Sequence, residues 1–118
     1  MLPILLVALG GALGAVARHA VATAAAHRLG AGWPWGTLLI NLSGCFLIAL
    51  LAARLTSENL RYLLPIGFVG AYTTFSTYGY ETVRLIETGR TAAAAAYVLA
   101  SNLLGLGAIL LGSWVARR

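Results

Sequence analysis

The chain has no lysine, one cysteine and three acidic side chains, Glu58, Glu81 and Glu87, among 118 residues. Charged residues make up 9% of it, against about 25% in an ordinary soluble domain. That shortage excludes a water-soluble globule. The chain is 60% hydrophobic with a mean hydropathy of +0.87, and a core this small cannot hide so much apolar surface from water. Cys45 stands alone inside an apolar run, so no intrachain disulfide forms. No base, nucleophile or metal-ligand cluster is present, which argues against an enzyme. The N-terminus lacks the basic stretch of a signal peptide, and its first apolar run reads as a retained helix.

What is present is apolar sequence in four runs, at about 2–26, 34–54, 60–88 and 91–116. At about 20 residues per span these predict an all-α membrane protein, one transmembrane domain of four helices over residues 1–118. In the first run Gly10 and Gly14 have the four-residue spacing that lets helices approach closely, and Arg18 lies on the same face. Trp33-Pro34-Trp35 opens the second run, with indoles suited to headgroup level and Pro34 suited to a first helical turn. Thr37, Asn41 and Gly44 then share one helical stripe. Thr56 or Ser57 can cap the next helix, and Glu81 and Arg84, three apart, can pair near the interface. In the fourth run Tyr97, Ser101 and Gly105 form a stripe with Asn102 beside it.

Eight arginines against three glutamates leave a net charge of +5. They are scattered at the ends of apolar runs, a pattern for anchoring against lipid phosphates and not for nucleic acid. Four spans put Arg54, Arg61, Arg117 and Arg118 on one side and Arg28, Arg84 and Arg90 on the other, with Arg18 leaning toward the latter. Orientation follows the asymmetry of basic residues between sides. With the count balanced, the chain is expected to insert both ways and to pair as an antiparallel, dual-topology dimer.

The third run is interrupted. Gly67-Phe68-Val69-Gly70-Ala71-Tyr72-Thr73-Thr74-Phe75-Ser76-Thr77-Tyr78 mixes glycines, threonines and aromatics inside apolar flanks. Glycine weakens a helix and β-branched threonine loses χ1 freedom in one, so a break near residues 70–75 is predicted. Unwound backbone at membrane depth must be buried in protein or line a watery cavity, and such breaks recur where ions are held. Asn41 is then either a donor to an ion or only an interhelical hydrogen bond. Phe75 is either pathway or packing. No acidic residue precedes Glu58, so the expected pathway offers donors and aromatic edges, which suit a small anion, while unwound carbonyls suit a cation.

At these residues the chain resembles the small dual-topology fluoride channels called Fluc or CrcB. Gly10-Gly11-Ala12-Leu13-Gly14-Ala15-Val16-Ala17-Arg18 is similar to the family's first-helix motif. Gly36-Thr37-Leu38-Leu39-Ile40-Asn41-Leu42-Ser43-Gly44 is similar to its second, and Gly67 to Thr77 to its third-helix break. The resemblance implies passive fluoride export through two pores of an antiparallel homodimer in the bacterial inner membrane. It implies a structural sodium ion held by the backbone carbonyls of Gly70 and Thr73 from both copies. It also implies a fluoride pathway over Arg18, Thr37, Asn41, Phe75, Ser76, Thr77, Tyr78, Tyr97 and Ser101. Position 78 is Tyr78 where that family usually carries phenylalanine; its hydroxyl either donates to the ion or points to another helix. Two rival readings are a proton-coupled multidrug-type exporter, which would need an acid in the first helix, and a holin-like structural oligomer.

Overall fold

Leucine, valine and alanine with no interior proline carry α1 from Leu2 to Leu29 in the computed structural model, which describes residues 1–118. Its 28 residues extend about 42 Å at 1.5 Å per residue, more than a hydrocarbon core of about 30 Å. The helix stops at Gly30, whose φ of 79° is a left-handed conformation that glycine adopts without a Cβ penalty. Pro34 sits at the cap of α2 (Trp35–Arg54), just outside the first turn expected for it.

The third apolar run is a series of helical pieces. Ser57 caps α3 (Glu58–Arg61), its hydroxyl accepting from the Leu60 amide at 3.5 Å. A π-helical segment, Tyr62–Val69, follows and runs into α4 (Gly70–Tyr72). The sequence reading did not anticipate the π segment. It contains Pro65, which lacks an N–H and crowds the carbonyl one turn back, and a wider turn relieves that crowding. Thr73 (φ −77°, ψ 157°) and Thr74 (φ −150°, ψ 112°) are extended, and α5 (Phe75–Glu87) begins again beyond them. A turn at Gly89 leads to α6 (Thr91–Ala116).

The structure is entirely helical, and α1, α2 and α6 are each long and apolar enough to cross a membrane. The third predicted span is divided by the break into pieces that are individually too short. Packing runs in two pairs: α1 lies along the π segment, and α2 lies along α6. The first pair is close because Gly10 and Gly14 are glycines. A Cβ at Gly10 would meet the Leu63 carbonyl oxygen, and one at Gly14 the Phe68 carbonyl oxygen. Just 16 of 118 residues are buried, so leucines such as Leu9, Leu13, Leu103 and Leu110 face outward as a lipid-facing shell requires.

Arginines tie the ends together. Arg54 donates from Nε and Nη2 to the Ala116 and Val115 carbonyls at the last turn of α6, where helix carbonyls lack intrahelical partners. At the opposite end Arg90 donates to the Gly32 carbonyl, joining the α5–α6 turn to the α1–α2 connection.

Candidate functional site

The break is built, and Asn41 of α2 builds it. Its side-chain oxygen accepts from the Thr74 amide at 2.8 Å, and its Nδ2 donates to the Thr74 carbonyl at 3.1 Å. One amide side chain therefore satisfies both backbone groups of Thr74, which unwinding leaves without helical partners. The Thr74 amide would otherwise close the helical ladder onto Gly70, so that bond to the Gly70 carbonyl is not made. On the near side Thr73 turns its amide and hydroxyl back to the Val69 carbonyl, each at 3.1 Å. On the far side the Thr74 hydroxyl caps α5, accepting from the Thr77 amide at 3.2 Å. That hydroxyl also lies 3.0 Å from the Thr77 hydroxyl and 3.3 Å from that of Ser76. Gly44, on the Asn41 stripe, leaves room for Thr73, since a Cβ there would strike the Thr73 methyl group.

A second polar cluster lies one turn earlier on α2. The Thr37 hydroxyl donates to Glu81 at 2.8 Å, and the Tyr97 hydroxyl donates to the other Glu81 oxygen at 2.7 Å. Tyr97 is fully buried, with Trp33 and Tyr78 set edge-on against its ring at centroid distances of 5.4 and 5.3 Å. This overturns two sequence expectations. Glu81 does not pair with Arg84, which instead pairs with Glu87 at 3.4 Å on an exposed face. Nor is the polar run free of carboxylates, because Glu81 stands inside it. Its spacing carried the signal: Glu81 lies three residues after Tyr78 and seven after Thr74, on their face of α5. A cross-helix acceptor position there offers two hydroxyl donors, whereas Arg84 offers an exposed ion pair of little worth.

Three cavities follow this polar run and share its buried threonines. One of 410 Å³ opens between Trp33, Arg84 and Arg90 and reaches Thr37 and Glu81. A second, of 300 Å³, is lined by Arg18, His19, Thr37, Thr74 and Thr77. The third, of 310 Å³, lies against Asn41, Cys45, Thr73, Thr74 and Phe75. Thr37 is a wall of the first two and Thr74 of the last two, and both are buried. Arg18 has no carboxylate partner, since the chain's one ion pair is Arg84–Glu87. Ser101 Oγ is buried without a hydrogen-bond partner, four residues along α6 from Tyr97. Phe75 is 82% exposed, its ring 5.6 Å from that of Tyr78. Asn41, Thr74, Ser76 and Thr77 are thus joined by hydrogen bonds at the break, and Thr37 and Tyr97 through Glu81 with Tyr78 packed on Tyr97. The Arg18 cavity, walled by Thr37, Thr74 and Thr77, lies between the two groups, and Phe75 and Gly70 are exposed beside the break.

A family model described as "CrcB-like protein, Camphor Resistance (CrcB)" matches residues 5–113. The chain belongs to the CrcB family. Among similar CrcB relatives is the fluoride-specific ion channel FluC of Acidobacterium capsulatum, 47% identical over 117 residues that cover 95% of this chain and 94% of that one. FluC of Anaeromyxobacter dehalogenans is 46% identical, covering 98% of this chain and 99% of its own. FluC of Hyphomonas neptunium is 42% identical, covering 97% and 94%.

Proposed function

We propose that this CrcB chain conducts fluoride passively across the inner membrane of a bacterial cell, along the polar run between α2, α5 and α6. The observation that carries the reading is Ser101: a buried hydroxyl without a partner is costly in hydrocarbon unless something accepts from it. A small anion is such an acceptor. The relatives' name supplies its identity as fluoride. Arg18, free of any carboxylate, raises the local anion concentration at one cavity, and Arg90, also without a carboxylate partner, does so at another. Between them the anion exchanges water for neutral donors: the second Nδ2 hydrogen of Asn41, the hydroxyls of Ser76, Thr77 and Ser101, and the edges of Phe75 and Tyr78. At the Thr37–Tyr97 end both hydroxyls already point to an acceptor, and the anion takes the place of a Glu81 oxygen there.

The working unit in this reading is an antiparallel dimer with two pathways. Phe75, 82% exposed beside a helix break, is completed as a pathway wall by a second copy. The balanced arginines allow that copy to insert the other way. A sodium ion on the two-fold axis fits the donors available. The Gly70 carbonyl is relieved of its ladder bond, and with the Thr73 carbonyl it offers neutral oxygen, the ligand type that holds sodium at unwound helices. Its positive charge would offset that of the anion in low dielectric.

One observation favours a second reading. Glu81 is a carboxylate inside the helical assembly, as a proton-coupled exporter needs, though it lies on α5 and not in the first helix. Fluoride release from vesicles separates the two. Passive conduction follows the fluoride gradient alone and ignores imposed proton or sodium gradients of either sign. Release driven uphill by a proton gradient contradicts it.

A further inference from the structure

Tyr78 of α5 and Asn102 of α6 form one more cross-helix pair, and its geometry fixes which atom donates. Asn102 Nδ2 lies 2.8 Å from the Val98 carbonyl of its own helix and 3.3 Å from the Tyr78 hydroxyl oxygen. A backbone carbonyl can only accept, so the nitrogen and not the oxygen of this amide must face Val98. The other hydrogen of the same nitrogen then points to Tyr78, whose oxygen accepts. The Tyr78 O–H is left with no acceptor in the chain. Its ring cannot swing freely, being set against Tyr97 at 5.3 Å and Phe75 at 5.6 Å. Asn102 itself is exposed near the middle of α6, between the exposed Leu99, Leu103 and Leu106. A polar amide at that depth is costly against lipid, so this face of α6 belongs to a polar path or to a second copy.

We propose that Asn102 is a positioning residue for anion recognition: it holds the Tyr78 oxygen as an acceptor so that the Tyr78 O–H donates to the passing anion. This rests on the fluoride-conduction reading. Accepting one hydrogen bond also strengthens the hydroxyl as a donor, because chained hydrogen bonds polarise one another. The pair therefore supplies a donor where an aromatic edge alone would give a weaker attraction. The arrangement needs both residues. A phenylalanine at 78 has no hydroxyl to present, and an apolar side chain at 102 frees the hydroxyl to donate to the nearest carbonyl.

The test is the fluoride concentration that gives half-maximal flux, a quantity independent of how many molecules survive reconstitution. It is measured on vesicles holding the full chain, Tyr78→Phe, Asn102→Leu or both. Each single change should raise that concentration about three- to tenfold, the worth of one ordinary hydrogen bond, and the double change should raise it no further. An unshifted value in Tyr78→Phe overturns the proposal, as does an unshifted Asn102→Leu beside a shifted Tyr78→Phe. Shifts that multiply in the double variant also overturn it, since the two would then act separately. These outcomes leave the conduction reading intact; absence of fluoride flux in the unmodified chain takes down both.

Discussion

Asn41 and Phe75 each carry two alternatives in the sequence, and their surroundings separate them. Asn41 is committed to Thr74 through both its donor and its acceptor, so a packing role and a pathway role meet in one side chain. Asn41→Asp keeps the acceptor but turns a carboxylate oxygen toward the Thr74 carbonyl. We expect a stability loss of about 1–3 kcal/mol from the unmatched pair. Fluoride flux should fall at least about tenfold, because a negative charge then borders the path. Normal flux per assembled dimer in that variant would refute the pathway role and leave Asn41 as a clamp. Phe75 is different, being 82% exposed and packed on little of its own chain. Phe75→Ile should leave the melting of a single chain within about 0.5 kcal/mol of the parent while fluoride flux collapses. Near-normal flux would make this ring a packing surface only.

At the scale of elements, the break and the flanking helices were legible and the segment before the break was not. Small and β-branched residues with threonine caps mark Thr73–Thr74 as poor helix, and the extended residues lie there. The α6 run ends at the residues where its apolar pattern ends. By contrast, Tyr62–Val69 is apolar on every side, and over eight residues an all-round apolar run cannot distinguish a π turn from an α turn. The partner of Glu81 was illegible for a related reason. Local spacing proposes Arg84, whereas the hydroxyls of Thr37 and Tyr97 arrive only when α2 and α6 pack together. Two substitutions test the elements. Gly14→Ala must push α1 off the Phe68 carbonyl and should cost about 1–3 kcal/mol in thermal unfolding in detergent. Thr74→Ala removes the α5 cap and should cost about 1 kcal/mol. An unchanged unfolding temperature for Gly14→Ala would mean that α1 does not lie this close to the π segment.

For the whole molecule, charge balance and outward-facing apolar surface make assembly the question. With the single thiol moved from Cys45 to a loop, impermeant reagents should reach each loop from both sides of the membrane in similar amounts. Labelling from one side alone contradicts the antiparallel dimer, and adding two arginines to one end should bias insertion and lower the flux. The central claim is tested most directly by fluoride release from vesicles that contain this chain and no other protein, read with a fluoride electrode against empty vesicles and against chloride. The account predicts rapid fluoride release down its gradient with chloride retained. Fluoride release no faster than from empty vesicles, or chloride released as fast as fluoride, would contradict it.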